Sequence, residues 1–197
     1  RALSGHPDVS AAMRARVQAA ADEVGYVPDL VARSLRSNTT GVVGLLVRDY
    51  TNPLFGQIIH GIEAVLDRSG YTLIIASSGN DADREARLIN VLRQRRVDAL
   101  LLSTVSDSAP RTLEAVARYE RPVVLLDRDL PGVTAPRVLI DHARGVQDAV
   151  SDLLSHGHSR IALITGSEDV RPTRERVRGF DAAYRTHAVA ARFGTRV

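Results

Sequence analysis

The 197 residues contain no cysteine and no lysine, so every one of the 26 basic residues is arginine. Without cysteine there are no disulfides, no thiolate chemistry and no cysteine-ligated zinc, and the chain suits a reducing cytoplasm, which is the expected location. The arginine-only basicity, alongside abundant alanine, reads as codon bias rather than selection for phosphate contacts. No apolar run approaches the roughly 18 residues of a spanning helix. No GxGxxG follows a strand candidate, and neither GxxxxGK[ST] nor GxSxG occurs, so glycine-loop nucleotide binding and a hydrolase elbow have no support. Asp127 and Asp129 bracket Arg128, but no nucleophile or metal ligand stands near them in sequence. The expectation is a protein that is not an enzyme and carries no cofactor. His156 and His158 flank Gly157 at a helix end, where solvated histidines near the helix dipole are expected rather than a metal clamp.

Hydrophobic residues make up 44% and charged residues 25%, close to the globular average, and the length allows one or two domains. The net charge of +3 divides into +1 over residues 1–40, 0 over 41–140 and +2 over 141–197, so electrostatics alone does not announce a nucleic-acid binder.

From residue 41 onward apolar runs alternate with helical stretches. VVGLLV (42–47), YTLIIAS (71–77), DALLLST (98–104) and PVVLLD (122–127) start 29, 27 and 24 residues apart, the size of a repeated strand, loop and covering helix. They are expected to pair in parallel with both sheet faces covered. Leu54, Phe55, Ile58, Ile59, Ile62, Val65 and Leu66 form the clearest helical stripe, and weaker ones follow at 83–95 and 111–119. A short strand RVLID (137–141), a helix over 143–156, a strand RIALITG (160–166) and a helix from about 173 complete a doubly wound α/β pattern.

In such sheets ligands sit beyond the carboxyl ends of the strands. Asp49, Asn52, Pro53 and Phe55 follow the first strand, Asp127 the fourth, Asp141 the fifth and Ser167–Asp169 the sixth. Each acid is equally readable as a helix cap. Residues 1–40 read differently: Ser10 caps a helix whose buried stripe is Met13, Val17, Ala20, Ala21 and Val24, and Gly25 stops it. With RALS before a Gly-Pro turn, this is either the back of a helix-turn-helix or an ordinary helical hairpin.

RALSGHPDVSAAMRARVQAAADEVGYVPDLVARSLRSNTTGVVGLLVRDYTNPLFG closely resembles the lactose-repressor (LacI/GalR) family of bacterial transcription regulators. The signals are V-S before an arginine-rich helix, GY-x-P at its end, the A-R-S-L-R hinge, T-x-x-V-G-L-L-V and N-P-x-F. VVLLDRD, HARG, LLSHGHSRIALITG and RVRGF extend the resemblance to about residue 184.

The resemblance implies a partial helix-turn-helix domain (1–27), a hinge helix and linker (28–40), a first α/β effector-binding subdomain (41–141) and an incomplete second one (142–197), the fold being that of periplasmic binding proteins. It implies a sequence-specific DNA-binding regulator, a repressor in most such proteins, acting as a homodimer on operator DNA under a small-molecule effector, a sugar for preference. A periplasmic-type sugar-binding protein is the alternative. Arg1 matches a base-reading arginine and Ser10 a phosphate-contacting cap. Tyr26 of GY-x-P and Arg33 of the hinge join the DNA-facing set, and Leu35 matches the leucine that wedges into the minor groove. Asp49, Phe55, Asp127 and Asp141 match pocket positions, and Arg176 matches the effector-clamping arginine of RxxGF. Val170 and Pro172 stand where relatives often carry polar ligand contacts. THAVAARFGTRV departs from the family pattern, and the first two helices of the DNA-binding domain are missing, so the expectation is a chain truncated at both ends whose last third is its least stable part.

Overall fold

A computed structural model describes residues 8–26 and 38–187, and the chain divides into two compact units, 1–40 and 41–197. In the first unit the described structure is one helix, α1 (Ala11–Glu23). Ser10 Oγ accepts from the Met13 N–H at 3.3 Å, satisfying one of the donors a helix start leaves open. Gly25, at φ +62, lets the chain leave the helix in a left-handed turn. The expected buried stripe is not buried: Ala21 is, but Met13 is 49% and Val24 77% exposed.

The second unit runs β1 (Val42–Val47), α2 (Pro53–Arg68), β2 (Thr72–Ser77), α3 (Ala82–Gln94), β3 (Ala99–Leu102), α4 (Pro110–Ala117), β4 (Val123–Leu126), β5 (Arg137–Val138), α5 (His142–Ser155) and α6 (Arg171–Thr186). All neighbouring strands pair in parallel, in the order β2-β1-β3-β4-β5. From β1 to β4 parallel pairing follows from the helix between successive strands, since a hairpin cannot return the chain in the same direction, while β5 joins β4 through a loop. Asn52, Asp81 and Asp141 cap α2, α3 and α5 through their side chains, so the acids and amides at strand ends start the next helix.

The reversal of strand order at β1 puts α2 on one face and α3 and α4 on the other, because crossovers are right-handed. Leu46, Ile89, Leu92, Leu100, Leu102, Val116 and Leu125 form the main core beneath α3 and α4. A separate, smaller cluster of Val150, Phe180, Ala183 and Tyr184 joins α5 to α6.

Two expectations are corrected. The sheet is not covered throughout: no residue of α2 is buried, and Ile74 and Ile75 of β2 stay 42% and 38% exposed. β2 is an edge strand with α2 as its main packing partner, so its apolar character outruns the cover available. The run 160–166 forms no strand and Ile164 is 96% exposed. Among the described residues no other strand lies beside it, and a single strand without a partner has no ladder to join.

Candidate functional site

The register aligns the carboxyl ends of β1, β3 and β4, so Arg48, Ser103–Thr104 and Asp127–Arg128 emerge at one rim. Asp127 has φ +55, a left-handed conformation that aspartate tolerates better than branched residues. Its Oδ2 lies 2.6 Å from His142 Nε2 at the start of α5. With a carboxylate as acceptor, the imidazole proton sits on Nε2. Asp127 Oδ1 accepts from Arg171 NH1 at 3.0 Å and from the Ile140 N–H at 3.3 Å. One carboxylate therefore ties β4 to the starts of α5 and α6.

Asp107, on the loop after β3, forms the second tie. Its Oδ2 accepts from the Arg171 N–H at 2.6 Å and from Arg174 NH2 at 2.8 Å, so it caps α6 from a distant loop. The Asp107 N–H donates to Asp169 O at 3.0 Å, and Ser108 Oγ donates to Asp169 Oδ1 at 2.5 Å. Arg128, 5% exposed, donates to Thr104 O at 2.8 Å and lies 3.9 Å from Asp107 Oδ1. Burial pushes the Asp107 carboxyl up and the Arg128 guanidinium down, so each of the two charges is desolvated. Arg48 Nε, Thr104 Oγ1 and Asp107 Oδ1, all on this rim, are buried without a hydrogen-bond partner among the described residues. Such atoms favour a polar occupant over an apolar one.

Beneath the rim Glu85 of α3 is fully buried, accepting from the Val105 N–H at 2.8 Å and Thr112 Oγ1 at 2.9 Å. Burial pushes its carboxyl up to about 7, against lowering by those bonds and by Arg128 and Arg48. Below its unfolded pKa near 4.5 the group is protonated in both states. As pH rises the unfolded chain releases the proton first, so stability falls across the window from 4.5 to 7. The expected loss is about 3 kcal/mol. Thermal melts across this window should show Glu85→Gln losing less stability than the parent, and parallel curves would contradict that.

The other expected pocket residues are more loosely placed. Asp49 accepts from the Thr51 N–H at 2.8 Å and Thr51 Oγ1 at 2.9 Å, bonds that hold its carboxyl below the usual range. Phe55 is half-buried in the first turn of α2, and Asp141 is exposed as the α5 cap, accepting from the Arg144 N–H at 3.0 Å. Arg176 is half-buried on α6 with no polar partner among the described residues, and the arginine that reaches Asp127 is Arg171. Ser10 caps α1 and Tyr26 is 55% exposed, while Arg1, Arg33 and Leu35 lie outside the described residues. Sequence reasoning missed His142, Asp107, Arg171 and Glu85. The string HARG was a signal for the first, whereas the others read as an ordinary loop acid, a surface arginine and a first-turn helix acid.

Elsewhere, a shallow groove between α3 and α4 is lined by charges of which Arg111 pairs with Asp83 at 2.9 Å and Arg118 with Glu114 at 2.5 Å. Among the described residues no cluster of three potential ligands could hold a metal, and no helix is long and apolar enough to cross a membrane.

Residues 40–192 match the family described as periplasmic binding proteins and sugar binding domain of LacI family. The chain is 34% identical over 177 residues to the HTH-type transcriptional repressor PurR of Aliivibrio fischeri, covering 89% of this chain and 52% of that protein. It is 35% identical over 176 residues to the ribose operon repressor of Escherichia coli, covering 89% and 53%. The chain thus spans about half the length of these relatives. In structure it is similar to the Cra transcriptional dual regulator of Pseudomonas putida solved with fructose 1-phosphate, with a TM-score of 0.67, 29% identity, and coverage of 74% of this chain and 54% of that one.

Proposed function

Because the chain belongs to the LacI family, we propose that it is part of a cytoplasmic, homodimeric repressor that binds operator DNA and responds to a sugar effector at the carboxyl rim of the sheet. The observation that carries this reading is the convergence of Asp127, His142 and Arg171 at that rim, joining β4 to α5 and α6. A carboxylate between two helix starts can accept hydrogen bonds from ligand hydroxyls while the surrounding elements adjust around it. The same reading divides the chain into a partial DNA-binding domain (1–27), a hinge (28–40), a first effector subdomain (41–141) and part of a second (142–197).

In the ligand site Asp127 accepts hydroxyls and Arg176, which has no polar partner among the described residues, clamps the effector, with Phe55 stacking on the sugar face and Asp49 and Asp141 at the margins. On the DNA side Arg1 reads a base edge, Ser10 seats a phosphate at the α1 start, Tyr26 and Arg33 support the contact, and Leu35 wedges into the minor groove. Wedging by Leu35 requires two hinge helices side by side, hence a dimer.

The test uses the full-length protein and fragments of its own genomic neighbourhood in footprinting, with D-ribose and fructose 1-phosphate as effector probes. A protected site is expected whose occupancy changes with one of the sugars. Asp127→Ala and Arg176→Ala should keep DNA affinity and weaken the sugar by tenfold or more, since an unpaired hydroxyl in a dry cleft costs about 1 to 3 kcal/mol. An unchanged sugar affinity in both variants would refute the pocket assignment, and no protected site would refute the regulator.

A further inference from the structure

The carboxylate assigned to the effector is already occupied by the protein. Asp127 Oδ2 is taken by His142, and Oδ1 by the Arg171 guanidinium and the Ile140 N–H. Arg171 NH1 also donates to Ile140 O at 3.1 Å, and its NH2 lies 3.8 Å from Glu175. Only 15% of the Arg171 side chain is exposed, against 19% for Asp127 and 12% for His142, so the group is well shielded from water. The backbone of Arg171 is held from the other side, by Asp107, which is 2% exposed. Neighbouring Arg176 has no such commitments among the described residues.

We propose that Arg171 is an intramolecular competitor for the ligand at Asp127, kept in place by the cap that Asp107 puts on α6. This rests on the reading of Asp127 as an effector contact. A ligand gains Oδ1 only by bringing a hydroxyl donor that replaces the guanidinium, so Arg171 sets the threshold for binding and discriminates against ligands lacking that donor. The competition differs in sign from an ordinary binding contact: removing a contact weakens the ligand, whereas removing a competitor tightens it.

Arg171→Met isolates the effect. It keeps the backbone N–H that Asp107 caps and most of the aliphatic stem, and it leaves Asp127 with His142 and the Ile140 N–H. Arg171→Lys keeps the charge and serves as the conservative control. Calorimetric titration of the full-length protein with D-ribose and with fructose 1-phosphate should show Arg171→Met binding the responsive sugar about tenfold more tightly than the parent, with Arg171→Lys within about threefold of it. If the parent binds a sugar and Arg171→Met binds it equally or more weakly, the competition is overturned and the effector site stands. If none of the three proteins binds either sugar, the effector site falls and the competition with it.

Discussion

Gly179→Ala is expected to destabilise the 41–197 unit by about 3 kcal/mol or more, against the sign that helix propensity suggests. Gly179 lies inside α6, where alanine is normally favoured over glycine by about 1 kcal/mol. A Cβ at this position, however, would sit 2.1 Å from Ala143 O and 2.9 Å from Ala143 C and Cα, all backbone atoms of α5. No rotamer relieves a clash with backbone, so the two helices must separate along the contact that holds Val150, Phe180, Ala183 and Tyr184 together. The start of α5 also carries His142, so its displacement loosens the hydrogen bond to Asp127. Denaturant unfolding should show a lower midpoint, and near-ultraviolet dichroism should report altered packing of Tyr184, whose ring lies 5.0 Å from that of Phe180. A variant as stable as the parent would mean that the helices are not in this close contact.

Asp107→Ala is expected to cost about 3 to 5 kcal/mol, the usual penalty for removing one partner of a buried ionic cluster. The aspartate is 2% exposed, accepts from the Arg171 N–H and from Arg174, and stands opposite the buried Arg128. Its removal leaves α6 without its cap and Arg128 short of a counter-charge. Because both Asp107 and Arg128 are desolvated, the intact cluster adds less to stability than its loss subtracts. Asp107→Asn keeps an oxygen for the Arg171 N–H and should lose roughly half as much. Equal midpoints for the parent and Asp107→Ala in urea would show that the cap and the charge contribute nothing.

Much of the fold was legible because periodicity and local chemistry act over a few residues. Ser10 and Asp141, both readable as helix caps in the sequence, do start α1 and α5 through their side chains. The apolar runs at 42–47, 71–77, 98–104 and 122–127 became β1 to β4, shorter by one to three residues for all but the first. The same reasoning failed at 160–166, since a strand exists only with a neighbour, and the letters RIALITG carry no information about whether one is present.

The amino-acid order by itself determined the parallel α/β class, most helix starts and stops, and the placing of Asp49 and Asp127 just beyond the ends of strands, whereas β5 stops at Val138 and Asp141 is a helix cap rather than a strand end. Tertiary structure alone decided what those acids touch. Asp107 finds Arg171 and Arg174 across 64 and 67 residues, and Asp127 finds Arg171 across 44. Contacts at such separations depend on strand order and helix approach, which place distant loops side by side. A loop aspartate is chemically the same residue whether it faces water or a buried arginine, so its partner could be read only once the sheet had brought the two together.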